Sequence, residues 1–119
     1  MIKSFRDLTV YQKAYDISIK LHEKSLTFPS LEKYELGSQL RRATKSIAMN
    51  IAEGYARNVS LADFRRFLTM AIGSCDEVQV QLDYCRDLKY ISDEEHRYFR
   101  DQYEQVGKML SSMIKNWVK

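Results

Sequence analysis

The chain has 119 residues, 45% of them hydrophobic and 29% charged, with a formal net charge of +3. That length supports one domain with a real core and leaves no room for two ordinary ones. One proline and four glycines are too few breakers for a many-stranded sheet, no apolar run approaches a membrane span, and the opening MIKSFRDLTVYQ holds no apolar signal region, so the expected location is the cytoplasm.

The first helix is expected over residues 8–26, where Val10, Ala14, Ile17 and Leu21 share one face. Phe28-Pro29-Ser30 ends it, because proline disfavours helix in the residue before it. The second is expected over 32–56, with the apolar row Leu36, Leu40, Ile47 and Ile51, Gly54 in its last turns and Asn58 as its closing cap. The third, over 60–88, opens with Ser60 as N-cap and Asp63 at the third position, and buries Phe64, Phe67, Leu68, Ala71, Cys75, Val78, Leu82 and Cys85. The fourth, over 92–117, opens at Ser92 with three acids in its first turn, where they suit the helix dipole. Its face is Phe99, Tyr103, Val106, Leu110, Met113 and Trp117. Links of a few residues favour antiparallel neighbours, so the expected fold is a single all-α domain over 1–119, an up-and-down antiparallel four-helix bundle.

Chemistry-bearing constellations are scarce. Cys75 and Cys85 are ten residues apart, about 15 Å along one helix, too far for a disulfide within the chain. They read as reduced core residues. His22 and His96 both lack the Glu three residues earlier that a di-iron bundle uses, and no Cys–His cluster has zinc spacing. AEGYAR and AIGSCDE each hold a single glycine, so no phosphate loop is present. No metal, cofactor or catalytic residue is expected, and the protein is read as a non-enzyme.

Three surface features stand out instead. Charge is uneven: residues 33–66 carry seven basic and three acidic side chains, whereas 76–104 carry four basic and nine acidic ones. Arg41, Arg42 and Lys45 on the second helix, with Arg57, Arg65 and Arg66 around the following turn, are the candidate nucleic-acid-binding residues. Arg41 and Lys45 are expected on one outward face. The second feature is the polar line Arg42, Ser46, Asn50, Glu53 and Arg57, spaced by four, four, three and four on one helix face. Ser74, Glu77 and Gln81 flank the core face of the third helix. Packed together, Ser46, Asn50, Glu53, Ser74 and Glu77 would form a structural polar network; a ligand pocket at Asn50 and Glu53 is the alternative. The third is a second apolar and small-residue surface, Met49, Ala52, Tyr55, Met70, Gly73, Val80 and Tyr84, expected to be the interface of a homo-oligomer.

These segments resemble the bacterial four-helix-bundle proteins encoded within 23S ribosomal RNA intervening sequences. The likeness is carried by FRDLTVYQKAYDI, FPSLEKYEL, QLRRATKSIAMNIAEGYAR and FRRFLTMAIGSCDEVQVQL. The element from Arg41 to Gly54, RRA-x-x-SI-x-x-NIAEG, is its most specific part, and Ser46, Asn50, Glu53, Gly54, Gly73, Ser74 and Glu77 match by position. The resemblance implies a left-handed up-and-down bundle assembled as a homopentamer, and it implies no enzymatic role. The family is similar to the accessory variability protein of diversity-generating retroelements, a basic pentameric barrel that binds nucleic acid and a reverse transcriptase. Tyr11, Glu35, Ala48 and Gln79 depart from the family's usual Trp, Gly, Pro and Glu. Ala48 predicts a straighter second helix than proline would give.

The expected function is thus a non-catalytic oligomer that binds RNA or DNA through basic faces. The alternative is an adaptor or scaffold for a partner protein, such as a reverse transcriptase or a ribosome-associated factor, without nucleic-acid contact. No membrane partner is expected.

Overall fold

The computed structural model describes residues 1–117; residues 118 and 119, part of the expected domain span, lie outside the described residues. The elements are a 3-10 turn, Phe5–Asp7, and helices α1 (Thr9–Ser25), α2 (Ser30–Tyr34), α3 (Leu36–Ala56), α4 (Leu61–Asp87) and α5 (Asp93–Asn116). The described residues contain no strand.

Cross-helix pairs give the topology. Lys13 Nζ donates to Gln102 Oε1 at 2.7 Å and Lys24 pairs with Glu95 at 2.9 Å, so numbers rise on α1 as they fall on α5. Ser46 meets Ser74 across α3 and α4, and further along α3 an added Cβ on Gly54 would meet Phe67 and Phe64. Asp83 meets His96 across α4 and α5, and Arg65 meets the carbonyl of Ile114. Each of these neighbours is antiparallel. The result is an up-and-down bundle measuring 46 × 23 × 22 Å.

The helix starts follow from capping chemistry. Ser92 and Glu95 form the reciprocal box at α5: the Glu95 amide donates to Ser92 Oγ at 3.0 Å and the Ser92 amide donates to Glu95 Oε1 at 2.9 Å. The Asp63 amide donates to Ser60 Oγ at 3.2 Å at the start of α4. The Asp63 carboxylate pairs with Arg66 at 3.6 Å and does not return to the cap. A second reciprocal box, not expected from the sequence, lies at Ser4 and Asp7 and opens the 3-10 turn. The Lys3 and Ser4 amides that donate to Asp7 hold its carboxyl below the usual range.

Two helix boundaries depart from expectation. The second expected helix is divided at Glu35, whose φ of −104° and ψ of −85° leave the helical region. Gly37 permits this: a Cβ there would lie 3.1 Å from the Glu32 carbonyl and 2.9 Å from Arg41 Nη1. Its close approach lets α2 fold back against α3 while Phe28 enters the core at 4% exposure. Helix α3 closes at Arg57, whose amide reaches the Glu53 and Gly54 carbonyls, so Asn58 is not the cap. The left-handed position instead follows α4, at Lys89 with φ 67°, the one non-glycine of that kind among the described residues.

One continuous core runs through all four long helices, with Leu40, Ile47, Ile51, Phe64, Leu68, Leu82, Tyr103 and Leu110 at 0% exposure. Gly54 is the tightest point between α3 and α4: an added Cβ would sit 3.2 Å from Phe67 Cβ and 3.4 Å from the Phe64 carbonyl. A Gly54→Val protein is therefore expected to lose about 1–3 kcal/mol by overpacking, read as a lower denaturant midpoint at unchanged slope. An unchanged midpoint would show that α3 and α4 can separate freely there.

Candidate nucleic-acid interface

The six expected basic residues fall into two groups. The first is on the body of α3. Arg41 is half-buried, not outward: Nη1 donates to Ser25 Oγ and Nη2 to the Lys33 carbonyl, both at 2.9 Å. It ties α1 to the kink between α2 and α3, because the break at Glu35 frees a carbonyl that a guanidinium can reach. Arg42 and Lys45 are exposed. Arg42 donates to Ser38 Oγ at 3.3 Å.

The second group is at one end of the rod, about 18 Å along α3 from Lys45. Arg57, which closes α3, and Arg66, on the first turns of α4, both lie over the Phe67 ring, at 5.3 and 4.5 Å from its centroid. Arg65 Nε donates to the Ile114 carbonyl at 3.2 Å, which brings in the last turn of α5 and its Lys115. Glu53 and Asp63 pair with Arg57 and Arg66 in exposed ion pairs, which cost little to break. Phe67, expected in the core, is half-buried and serves as the platform for two guanidiniums. The run Arg65-Arg66-Phe67 was the available signal. The opposite end, where α4 turns into α5, gathers Asp83, Asp87, Asp93 and Glu94 around Arg86, which pairs with Asp83 and Asp87, and Lys89. The uneven charge of the sequence is thus partly a polarity along the rod.

The polar line on α3 divides into separate units. Ser46 Oγ and Ser74 Oγ are 2.8 Å apart, and Asn50 Nδ2 donates to the Ser46 carbonyl at 2.9 Å and to its hydroxyl at 3.1 Å. Glu53 turns to Arg57, and Gln81 Nε2 donates to Glu77 Oε2 at 3.3 Å within α4. Only Ser46, Asn50 and Ser74 therefore form one cluster, and it pins α3 to α4.

The expected apolar surface is also split. A groove of about 460 Å³ between α1 and α3 is lined by Tyr15, Ile19, His22, Lys45, Ala48 and Met49, among others. A second, of about 590 Å³, lies between α3 and α4, where Leu36, Val80, Tyr84 and Leu88 meet Glu32, Glu35 and Glu77. Neither is lined by Asn50 or Glu53. Met70 and Gly73 are exposed on α4, Ala52 is half-buried in the first groove, and Tyr55 packs edge-on against Trp117 at 6.3 Å. Tyr55 therefore belongs to the edge of the core. The α1 residues Tyr15 and Ile19 also belong to this surface; they are four apart and off the core face, a spacing that was the available signal for them.

No group of three or more His, Cys, Asp or Glu side chains able to hold a metal occurs among the described residues. Cys75 and Cys85 are free and buried, and desolvation pushes both thiols up to about 12, which leaves them protonated and inert at neutral pH. His96, also buried, is held by Asp83 at 2.8 Å. None of the described helices is long and apolar enough to cross a membrane.

A bundle of this register, with its RRA-x-x-SI-x-x-NIAEG helix pinned to α4, has direct counterparts. The profile of the 23S rRNA-intervening sequence proteins matches residues 6–112. The chain belongs to that family. Its fold is shared by a crystal structure of a protein of unknown function from the S23 ribosomal protein family of Bacteroides thetaiotaomicron. The two are 23% identical, with a TM-score of 0.82 over 90% of this chain and 96% of that one. No functionally curated protein matches the chain.

Arg41 and Arg42 are adjacent but differently employed. Arg41→Ala leaves the Lys33 carbonyl and Ser25 hydroxyl without their donor and is expected to cost about 1–3 kcal/mol, while Arg42→Ala stays within about 0.5 kcal/mol; urea unfolding of the two variants separates them. In the first groove, partial burial, then Lys45 and Arg41, hold His22 below its ordinary value of 6.5, with Glu23 opposing. The unfolded chain then binds more protons, so this contribution to stability is complete above pH 6.5 and declines as pH falls through that value. Thermal melts of a His22→Gln protein should lose that part of the decline.

Proposed function

We propose that this family member is a non-catalytic oligomeric bundle that binds RNA or other nucleic acid through its basic end. The observation that carries this reading is the cluster of Arg57, Arg65 and Arg66, two of them over the Phe67 ring, at one end of the rod. The carboxylates that hold Arg57 and Arg66 over the Phe67 ring are exposed, so phosphate oxygens can replace them at little cost and take the guanidinium donors. The attraction is to the backbone, so it carries no base readout. One such end is a small site. Several, brought together by an oligomer, add their fields and bind with avidity. The homopentamer implied by the family resemblance would supply this multiplicity.

The test is binding to a structured RNA and to duplex DNA across a salt series. Affinity should fall linearly in log–log form as salt rises, with little difference among sequences. Arg65→Ala with Arg66→Ala should weaken binding at least tenfold and flatten the salt slope by about one for each phosphate no longer neutralised. Binding that is absent at low salt, or insensitive to it, overturns the reading. It would favour the second one, a protein scaffold, which the exposed Met49, Val80 and Tyr84 support.

A further inference from the structure

The two grooves beside α3 have opposite electrical character. The α1/α3 groove is lined by Lys45 and His22 and by no carboxylate, and Arg41 also bears on His22. The α3/α4 groove is lined by Glu32, Glu35 and Glu77 and by no basic side chain. Both are apolar at their centres and both leave large side chains in the open: Met49 is 66% exposed beside the first, Tyr84 60% and Val80 55% beside the second. The grooves cannot meet within one molecule. Ala48 lines the first and Gln39 the second, and nine residues at 3.6 per turn place them on opposite sides of α3.

We propose that these grooves are the two halves of one interface between copies of this chain. The Lys45–Met49 ridge of one copy, with Tyr15 and Ile19 beside it, docks on Val80, Tyr84 and the three carboxylates of the next. A second copy is the occupant because the same molecule carries both the apolar surface and the matching charge for each groove. The contact joins two different faces, so it is heterologous, and repetition closes a ring or extends a filament. In a closed ring the rods stand side by side and point the same way. All the ends that carry Arg57, Arg65 and Arg66 then crowd on one rim. Lys45 is consumed in the interface, leaving Arg57, Arg65 and Arg66 for the outer ligand. This inference rests on the oligomeric reading above and names the surfaces that build it.

The test is solution mass by sedimentation velocity on the full chain, with Lys45→Glu, Glu77→Lys and the two combined. Both side chains are exposed, so helical content by circular dichroism should not change. Each single reversal should weaken assembly at least tenfold, because it places like charges face to face. The combined variant should recover most of that loss, because each groove then meets its opposite again. An oligomer whose mass is untouched by both single reversals uses other faces; this overturns the inference and leaves the oligomeric reading standing. Reversals that weaken assembly without mutual rescue overturn the pairing of these two grooves. A monomer at every concentration overturns both readings.

Discussion

The close approach of α3 to α4 is the constraint on which the rest of the molecule depends. At Gly54 the two backbones come near enough that a methyl group would press on Phe67, and eight residues earlier the Ser46 and Ser74 hydroxyls meet at 2.8 Å. A glycine contact sets distance, and a hydroxyl pair sets register. Together they remove the freedom of two long amphipathic helices to slide, which greasy faces alone would leave open. Phe64 and Leu68 then lie against Gly54, and α5 and α1 pack on the pair in antiparallel order.

With that register set, α3 is the helix around which the surface is organised. It has α1 on one flank and α4 on the other, and a groove opens along each. Its kink at Glu35 swings the short α2 across the end of the bundle, where Tyr90 reaches Glu32 at 3.0 Å and packs on Phe28. The kink also explains why Arg41 is a structural residue. A helix break frees a carbonyl, and a guanidinium further along α3 can donate to it while still reaching Ser25. Charge in this protein therefore serves three ends: tying the break, marking the two grooves, and loading one end of the rod. Only the last combines solvent-exposed ion pairs with arginines set over an aromatic ring.

Much of this was determined by sequence alone. Apolar residues at helical spacing specify four amphipathic rods, Ser60 and Ser92 mark where two of them start, and short links leave antiparallel packing as the ready arrangement. That Cys75 and Cys85 are reduced core residues could be read from the same pattern. These properties depend on local periodicity and capping, which neighbours in sequence decide.

Tertiary structure decided what lies between rods. Whether Arg41 faces solvent or a broken helix, whether Tyr55 joins an interface or leans on Trp117, and whether Met49 and Tyr84 share a face all depend on distances between segments far apart in the chain. Helical periodicity gives an angle around one axis. It does not give the partner on the next axis, and the split of one expected apolar surface into two oppositely charged grooves is a property of that partnership.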